Sequence, residues 1–228
     1  MTQLVIAIDG PAASGKSTTA RLVAERLGYV HVDTGAMYRA VTLKILRAGI
    51  APSDVVRIAA LLESTRVELR RTGGALQVVV DGEDVTDAIR TPEVTAAVSA
   101  VSSLREVRRA MVREQRALGR NGGIVLEGRD IGTVVFPDAD CKFFLNAGIE
   151  GRARRRLEEL RAKGITGDLA EQMNEIAERD RKDSTRAESP LRKAEDAIEI
   201  DTSELTIEGE VEEVLRHVRR ILEKRERA

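Results

Sequence analysis

An α/β fold built on a five-stranded parallel sheet flanked by helices is predicted by three observations. Short apolar runs bounded by glycine or charge recur at "LVIAID" (4–9), "YVHVD" (29–33), "GIVLEG" (123–128), "CKFFLN" (141–146) and "AIEID" (197–201), with helical patterns between them. Such runs suit strands covered on both faces, the condition of a parallel sheet under helices. The first run passes into a small-residue loop ending in Gly15-Lys16-Ser17, and that loop passes into a helix. A second style of strand is confined to residues 66–86, where "RVELR" and "ALQVVVDGEDVT", with the turn pair Asp81-Gly82, read as a small antiparallel meander inserted into the core.

The helices follow from their periodicity. Residues 17–27 place Ala20, Val23, Ala24 and Leu27 on one face. Thr91-Pro92-Glu93 supplies an N-cap, a first-turn proline and an early acid for a helix carrying Val94, Val98 and Val101. A further helix carries Leu104, Val107, Met111 and Leu118. Residues 149–163 and 168–182 read as two arginine-rich helices broken by "KGITGD", and 208–225 as a closing amphipathic helix with Val211, Val214, Leu215, Val218 and Leu222.

Composition narrows the function. With 228 residues, 42% apolar and 33% charged, the chain is expected to fold around one sizeable core and to be soluble. A net charge of −1 and only 2% aromatics argue against a nucleic-acid reader, which needs basic excess or stacking platforms. The single cysteine, Cys141, cannot form an intramolecular disulfide and reads as a buried structural thiol of a reducing cytosol. No basic leader with an apolar run and no membrane-length apolar stretch is found, so a cytoplasmic protein is expected.

The loop carries the first chemistry. Gly10-x-x-x-x-Gly15-Lys16-Ser17 lies between a strand and a helix, the context in which this pattern holds nucleoside triphosphates. Small residues let successive N–H groups turn inward as an anion nest, and the helix start adds its positive dipole end. Lys16 can reach the β- and γ-phosphates, and the Ser17 hydroxyl can ligate Mg²⁺. The loop alone does not name the acceptor.

A kinase acceptor is a second anion, so its site should be cationic. Tyr38-Arg39 follows "DTG" at the end of the second strand, and Arg129-Asp130 follows the third long strand, where ligands gather in such folds. In "ERDRKDSTR", Arg179 and Asp183 are i,i+4 neighbours, and Arg186 lies one turn on if the helix continues. That segment reads either as an exposed salt-bridged helix or as a mobile lid closing over a transferring phosphoryl group.

"DGPAASGKST", "DTGAMYRA", "RTPEV", "EGRDIGTVVFPDA" and "ERDRKDSTR" together resemble bacterial cytidylate kinase, in order from about Ile6 to Asp201. The resemblance implies a P-loop kinase core, a monophosphate-binding insert containing the antiparallel sheet, and a helical lid. The parts would be 1–34 (core with the phosphate loop), 35–120 (monophosphate-binding region, meander near 66–86), 121–148 (core), 149–190 (lid) and 191–228 (last strand and C-terminal helix). It implies transfer of the ATP γ-phosphoryl group to CMP, and to dCMP, with Mg²⁺. The implied ATP-binding residues are Gly10, Pro11, Ala12, Ala13, Ser14, Gly15, Lys16, Ser17 and Thr18. The implied CMP-binding residues are Thr34, Arg39, Ser99, Arg108, Arg129, Asp130, Arg179, Asp183 and Arg186. Within that set Ser99, Arg108 and Asp130 read the cytosine edge, and Asp183 contacts the ribose. Lys16, Arg129, Arg179 and Arg186 are the implied catalytic groups, and Ser17 the metal contact. No general base is carried over. The implied partners are the small molecules ATP and CMP or dCMP, with no nucleic acid and no membrane, and the chain is expected to act as a monomer.

Two other readings share parts of this pattern. A small P-loop kinase acting on AMP, UMP or shikimate would lack the insert and "EGRDIGT". A slow nucleotide switch would carry a base-reading Asn-Lys-x-Asp, which this sequence lacks.

Overall fold

A computed structural model describes residues 3–72, 75–162 and 164–226; Gly73 and Gly74 of the expected meander and Lys163 of the expected lid lie outside the described residues. In chain order the elements are β1 (Val5–Asp9), α1 (Lys16–Leu27), β2 (Val30–Asp33), α2 (Thr34–Arg47), α3 (Val55–Glu63), β3 (Val67–Thr72), β4 (Ala75–Val80) and β5 (Glu83–Asp84). They continue as α4 (Pro92–Ser102), α5 (Arg105–Leu118), β6 (Ile124–Gly128), β7 (Cys141–Asn146), α6 (Ile149–Arg161), α7 (Leu169–Thr185), β8 (Ile198–Asp201) and α8 (Ile207–Glu226). A three-residue 3₁₀ turn (Ala88–Arg90) precedes α4, and a π turn (Ile131–Val135) follows β6.

The chain divides into two compact units, Met1–His31 with Gly119–Ala228, and Val32–Leu118. The first holds most of a five-stranded sheet ordered β2-β6-β1-β7-β8, in which β1 pairs parallel to both β6 and β7, and β7 to β8. This is the sheet the apolar runs predict. Ile6, Ile8, Val125, Phe143 and Leu145 pack with Ala20, Val23 and Ala24 of α1 and Val211, Val214, Leu215 and Val218 of α8. Full burial of each large apolar side chain stabilises by about 1.5–3 kcal/mol. Cys141 belongs to that core, and burial, helped by Asp140, pushes its thiol up to about 12, as befits a structural rather than reactive sulfur.

The second unit holds the antiparallel sheet β3-β4-β5. Asp81 (φ 51°) and Gly82 (φ 92°) both take left-handed backbone between β4 and β5, the geometry of a two-residue hairpin turn. At the head of α4 the Thr91 hydroxyl accepts from Val94 N at 3.4 Å, with Pro92 at the first helical position.

Three local expectations change. Tyr38 and Arg39 lie inside a helix rather than at the strand end itself: α2 starts at Thr34, immediately after β2, with Asp33 accepting from Ala36 N at 2.9 Å as its cap. α3, capped by Asp54, is a helix the sequence reading left out. Arg186 does not continue α7. Its backbone is extended (φ −63°, ψ 142°), and its Nε donates to Ser189 O at 2.6 Å, turning the chain back.

Candidate active site

The loop from Gly10 to Ser17 joins the end of β1 to α1. Gly10 is required by close approach, since a Cβ there would lie 2.2 Å from the Leu145 carbonyl oxygen. Gly15 has φ +88°, and a Cβ would meet Glu210 Oε2 at 2.8 Å. Ala13 between them holds φ 57°, an uncommon left-handed conformation for a residue with a side chain. Gly15 is the N-cap of α1 and offers no side-chain acceptor.

The loop is braced from two sides. Asp180 Oδ1 accepts from Ala12 N at 3.0 Å, and Arg152 Nη1 donates to Ala12 O at 3.0 Å. Arg152 and Asp180 pair with each other at 2.5 Å. On the other side, Thr202 Oγ1 donates to Ser14 O at 3.3 Å, and the buried Glu210 accepts from Thr19 Oγ1 at 2.6 Å. Ser14 Oγ is itself buried and finds no hydrogen-bond partner among the described residues.

Lys16 is buried, with Nζ donating to Pro11 O at 2.7 Å. Burial first, and then the nearby charges of Arg129 and Arg179 against those of Glu127 and Asp183, push its ammonium down to about 7. Ser17 Oγ donates to Glu127 Oε2 at 2.5 Å, and His31 Nε2 lies 3.2 Å from Glu127 Oε1. Burial alone would raise the Glu127 carboxyl, but the His31 contact, the Lys16 charge and the Ser17 hydroxyl hold it below the usual carboxylate range.

The strand end of β6 leads into a dense ionic cluster. Arg129 Nε donates to Asp183 Oδ2 at 2.8 Å. Arg186 lies 3.8 Å from Asp183 Oδ1 and 3.7 Å from Asp130 Oδ1. Asp9 sits beneath, accepting from Ile131 N at 2.9 Å and Gly132 N at 2.8 Å, and so fixes the turn that carries Arg129 and Asp130. Burial outweighs these bonds and raises its carboxyl to about 6.

Thus Lys16, Ser17, Arg129, Asp130, Arg179, Asp183 and Arg186 all lie in the first unit, with Arg129 and Arg179 close enough to Lys16 to bias its charge. Thr34, Arg39, Ser99 and Arg108 lie in the second. There Arg39 Nη1 donates to Thr95 Oγ1 at 2.8 Å, and the buried Arg108 guanidinium lies 5.2 Å from the centre of the Tyr38 ring. Ser99 is half-buried and its carbonyl accepts from Ser102 Oγ, while Thr34 is buried at the first position of α2.

Sequence reasoning missed Asp9, His31, Arg152, Asp180 and Thr95. Asp180 adjoins Arg179, and Arg152 stands in a helix noted for its arginines, so both were visible as residue types. Asp9 and His31 end or interrupt apolar strand runs, a signal for buried polar groups with partners. Thr95 offered no signal.

The arrangement can hold a polyphosphate on backbone N–H groups and Lys16, and set guanidiniums around a transferring group. Ser17 and Glu127 supply hard oxygen donors beside Lys16. Among the described residues no three His, Cys, Asp or Glu side chains form a metal cage.

The cytidylate kinase family model matches residues 6–220. The chain is 52% identical over 225 residues to the cytidylate kinase of Geobacter sulfurreducens, covering 99% of this chain and 95% of that protein. It is 50% identical over 219 residues to that of Symbiobacterium thermophilum, covering 96% and 97%. An uncharacterized protein from Eubacterium ventriosum shares the fold, with a TM-score of 0.51 at 12% identity over 95% of this chain and 98% of that one. The chain belongs to the cytidylate kinase family and is a phosphotransferase.

Proposed function

We propose that this chain transfers the γ-phosphoryl group of ATP to CMP, and to dCMP, with Mg²⁺. The bond from the γ-phosphorus to the β,γ-bridging oxygen breaks, a bond to a CMP phosphate oxygen forms, and ADP leaves with CDP or dCDP. The observation that carries the reading is Lys16, buried at the mouth of the anion nest and close to two further cations, Arg129 and Arg179. Glu127 and Asp183 offset part of that charge, and phosphate groups would balance the rest.

Roles follow residue by residue. The backbone of Gly10, Pro11, Ala12, Ala13, Ser14, Gly15 and Thr18 cradles ATP phosphates, and Lys16 bonds the β- and γ-oxygens. Ser17, with Glu127 behind it, would hold Mg²⁺, which would offset phosphate charge during the transfer. Arg129, Arg179 and Arg186 hold the transferring group, and Asp183 orients two of them while contacting the ribose. Thr34 and Arg39 hold the CMP phosphate. Asp130, Ser99 and Arg108 read the cytosine edge. The attacking phosphate oxygen is already anionic, so positioning and charge stabilisation suffice without a general base. Residues 149–190 act as the lid and 35–120 as the monophosphate-binding region, and the working form is a monomer.

The test is ADP release from ATP against a panel of nucleoside monophosphates. CMP and dCMP should be turned over, with UMP, AMP and shikimate far slower. ATP turnover unchanged by CMP would replace this reading with that of a nucleotide switch.

A further inference from the structure

We propose that His31 is a positioning residue for the Ser17 hydroxyl, acting through Glu127, so that Ser17 presents its oxygen to a divalent cation rather than its proton. The inference rests on the reading of Ser17 as a metal contact. His31 is the second residue of β2 and Glu127 the fourth of β6, neighbouring strands of the sheet. Both side chains are buried, at 7% and 4% exposure. A histidine and a carboxylate removed from water together need a reason, because each carries polar atoms that must be satisfied.

The hydrogen bonds form a directed chain. An ionised carboxylate only accepts, so the histidine nitrogen 3.2 Å from Glu127 Oε1 carries the proton. That bond fixes the plane of the Glu127 carboxylate. Its other oxygen, Oε2, then accepts the single Ser17 hydroxyl proton at 2.5 Å. A serine hydroxyl has one proton and two lone pairs, so a proton committed to Glu127 leaves both lone pairs facing away from it. Without a fixed acceptor the hydroxyl rotor is free, and any donating orientation opposes a cation. Groups that orient a ligand in this way commonly change metal affinity or activity by about 10–100-fold when removed.

The experiment is calorimetric binding of a non-hydrolysable ATP analogue, with and without Mg²⁺, to wild type and five variants. Wild type should bind more tightly with Mg²⁺. His31→Leu should bind as wild type with EDTA but lose about 10–100-fold of the Mg²⁺ enhancement. His31→Gln, whose amide nitrogen reaches the same place, should keep most of it, and His31→Asn, too short, should lose it. The Gln and Asn pair carries the test if Leu fails to fold. Ser17→Ala should abolish the enhancement, and the Ser17→Ala/His31→Leu double variant should bind no worse than Ser17→Ala alone. In turnover, His31→Leu should raise KM for Mg·ATP while leaving KM for CMP unchanged. If Ser17→Ala keeps the enhancement, the metal-contact reading itself fails. If Ser17→Ala loses it while His31→Leu and His31→Asn keep it, only the role of His31 is overturned.

Discussion

Replacing Asp183 with alanine tests the cluster at the end of β6 most directly. Two guanidiniums converge on this carboxylate, from Arg129 at 2.8 Å and Arg186 at 3.8 Å. All three side chains are largely withdrawn from water, at 10% exposure for Asp183, 17% for Arg129 and 7% for Arg186. At an effective dielectric constant of about 20 the gross attractions are about 6 and 4 kcal/mol, most of it offset by desolvation. Truncation removes the attraction and leaves two desolvated cations, so the net loss should be that of breaking a buried pair, about 3–5 kcal/mol. Arg186 keeps Asp130 at 3.7 Å, which favours the lower end. For a domain of this size the melting temperature should fall by about 6–20 °C. Thermal unfolding followed by circular dichroism measures it, and the loss should persist at high salt, because buried pairs are poorly screened. Asp183→Asn, which retains an acceptor for Arg129 Nε, should lose less. A melting temperature for Asp183→Ala within about 2 °C of wild type would refute the reasoning, and would mean that the end of α7 opens without disturbing the rest.

Four other outcomes are expected. Lys16→Ala should fold normally yet lose about 10²–10³-fold in kcat; retention of more than about a tenth of the activity would remove the loop lysine from the chemistry. Asp130→Ala should collapse the CMP to UMP ratio of kcat/KM, since only cytosine offers an amino donor to a carboxylate; an equal fall for both would leave Asp130 as a partner of Arg186 alone. Amide exchange across residues 150–190 should slow when ATP and CMP are bound together, and unchanged protection would return that segment to a salt-bridged surface. The Asp9 carboxyl is raised from 3.8 to about 6 in the fold, so the folded state keeps a proton that the unfolded chain has released and stability falls as pH rises through that window. The fall amounts to about 3 kcal/mol by neutral pH. The unfolding free energy of wild type relative to Asp9→Asn should decline by that amount between pH of about 4 and 7, and a constant difference over that range would contradict it.

Much of this was legible from residue order. The five apolar runs became β1, β2, β6, β7 and β8 because a strand buried on both faces has little freedom in composition. The phosphate loop was legible because backbone N–H groups can face an anion only where side chains are small. Thr91-Pro92 marked the start of α4 because an N-cap and a first-turn proline are local chemistry. Those features depend on neighbours a few residues away, and the sequence states them directly.

What the tertiary structure alone decided is pairing at a distance. Arg179, Asp183 and Arg186 looked like one helical face, yet Arg186 leaves the helix and meets Asp183 from outside it, held by Ser189 O and drawn toward Asp130. Asp9 looked like the polar end of a strand, but it is a buried anchor for a turn 122 residues away. His31 and Glu127 stood in separate apolar runs, and only the sheet order, which sets β2 beside β6, makes them partners. A buried charge is tolerable only where the fold brings it a counter-charge or donor, and that partner is fixed by topology rather than by sequence spacing.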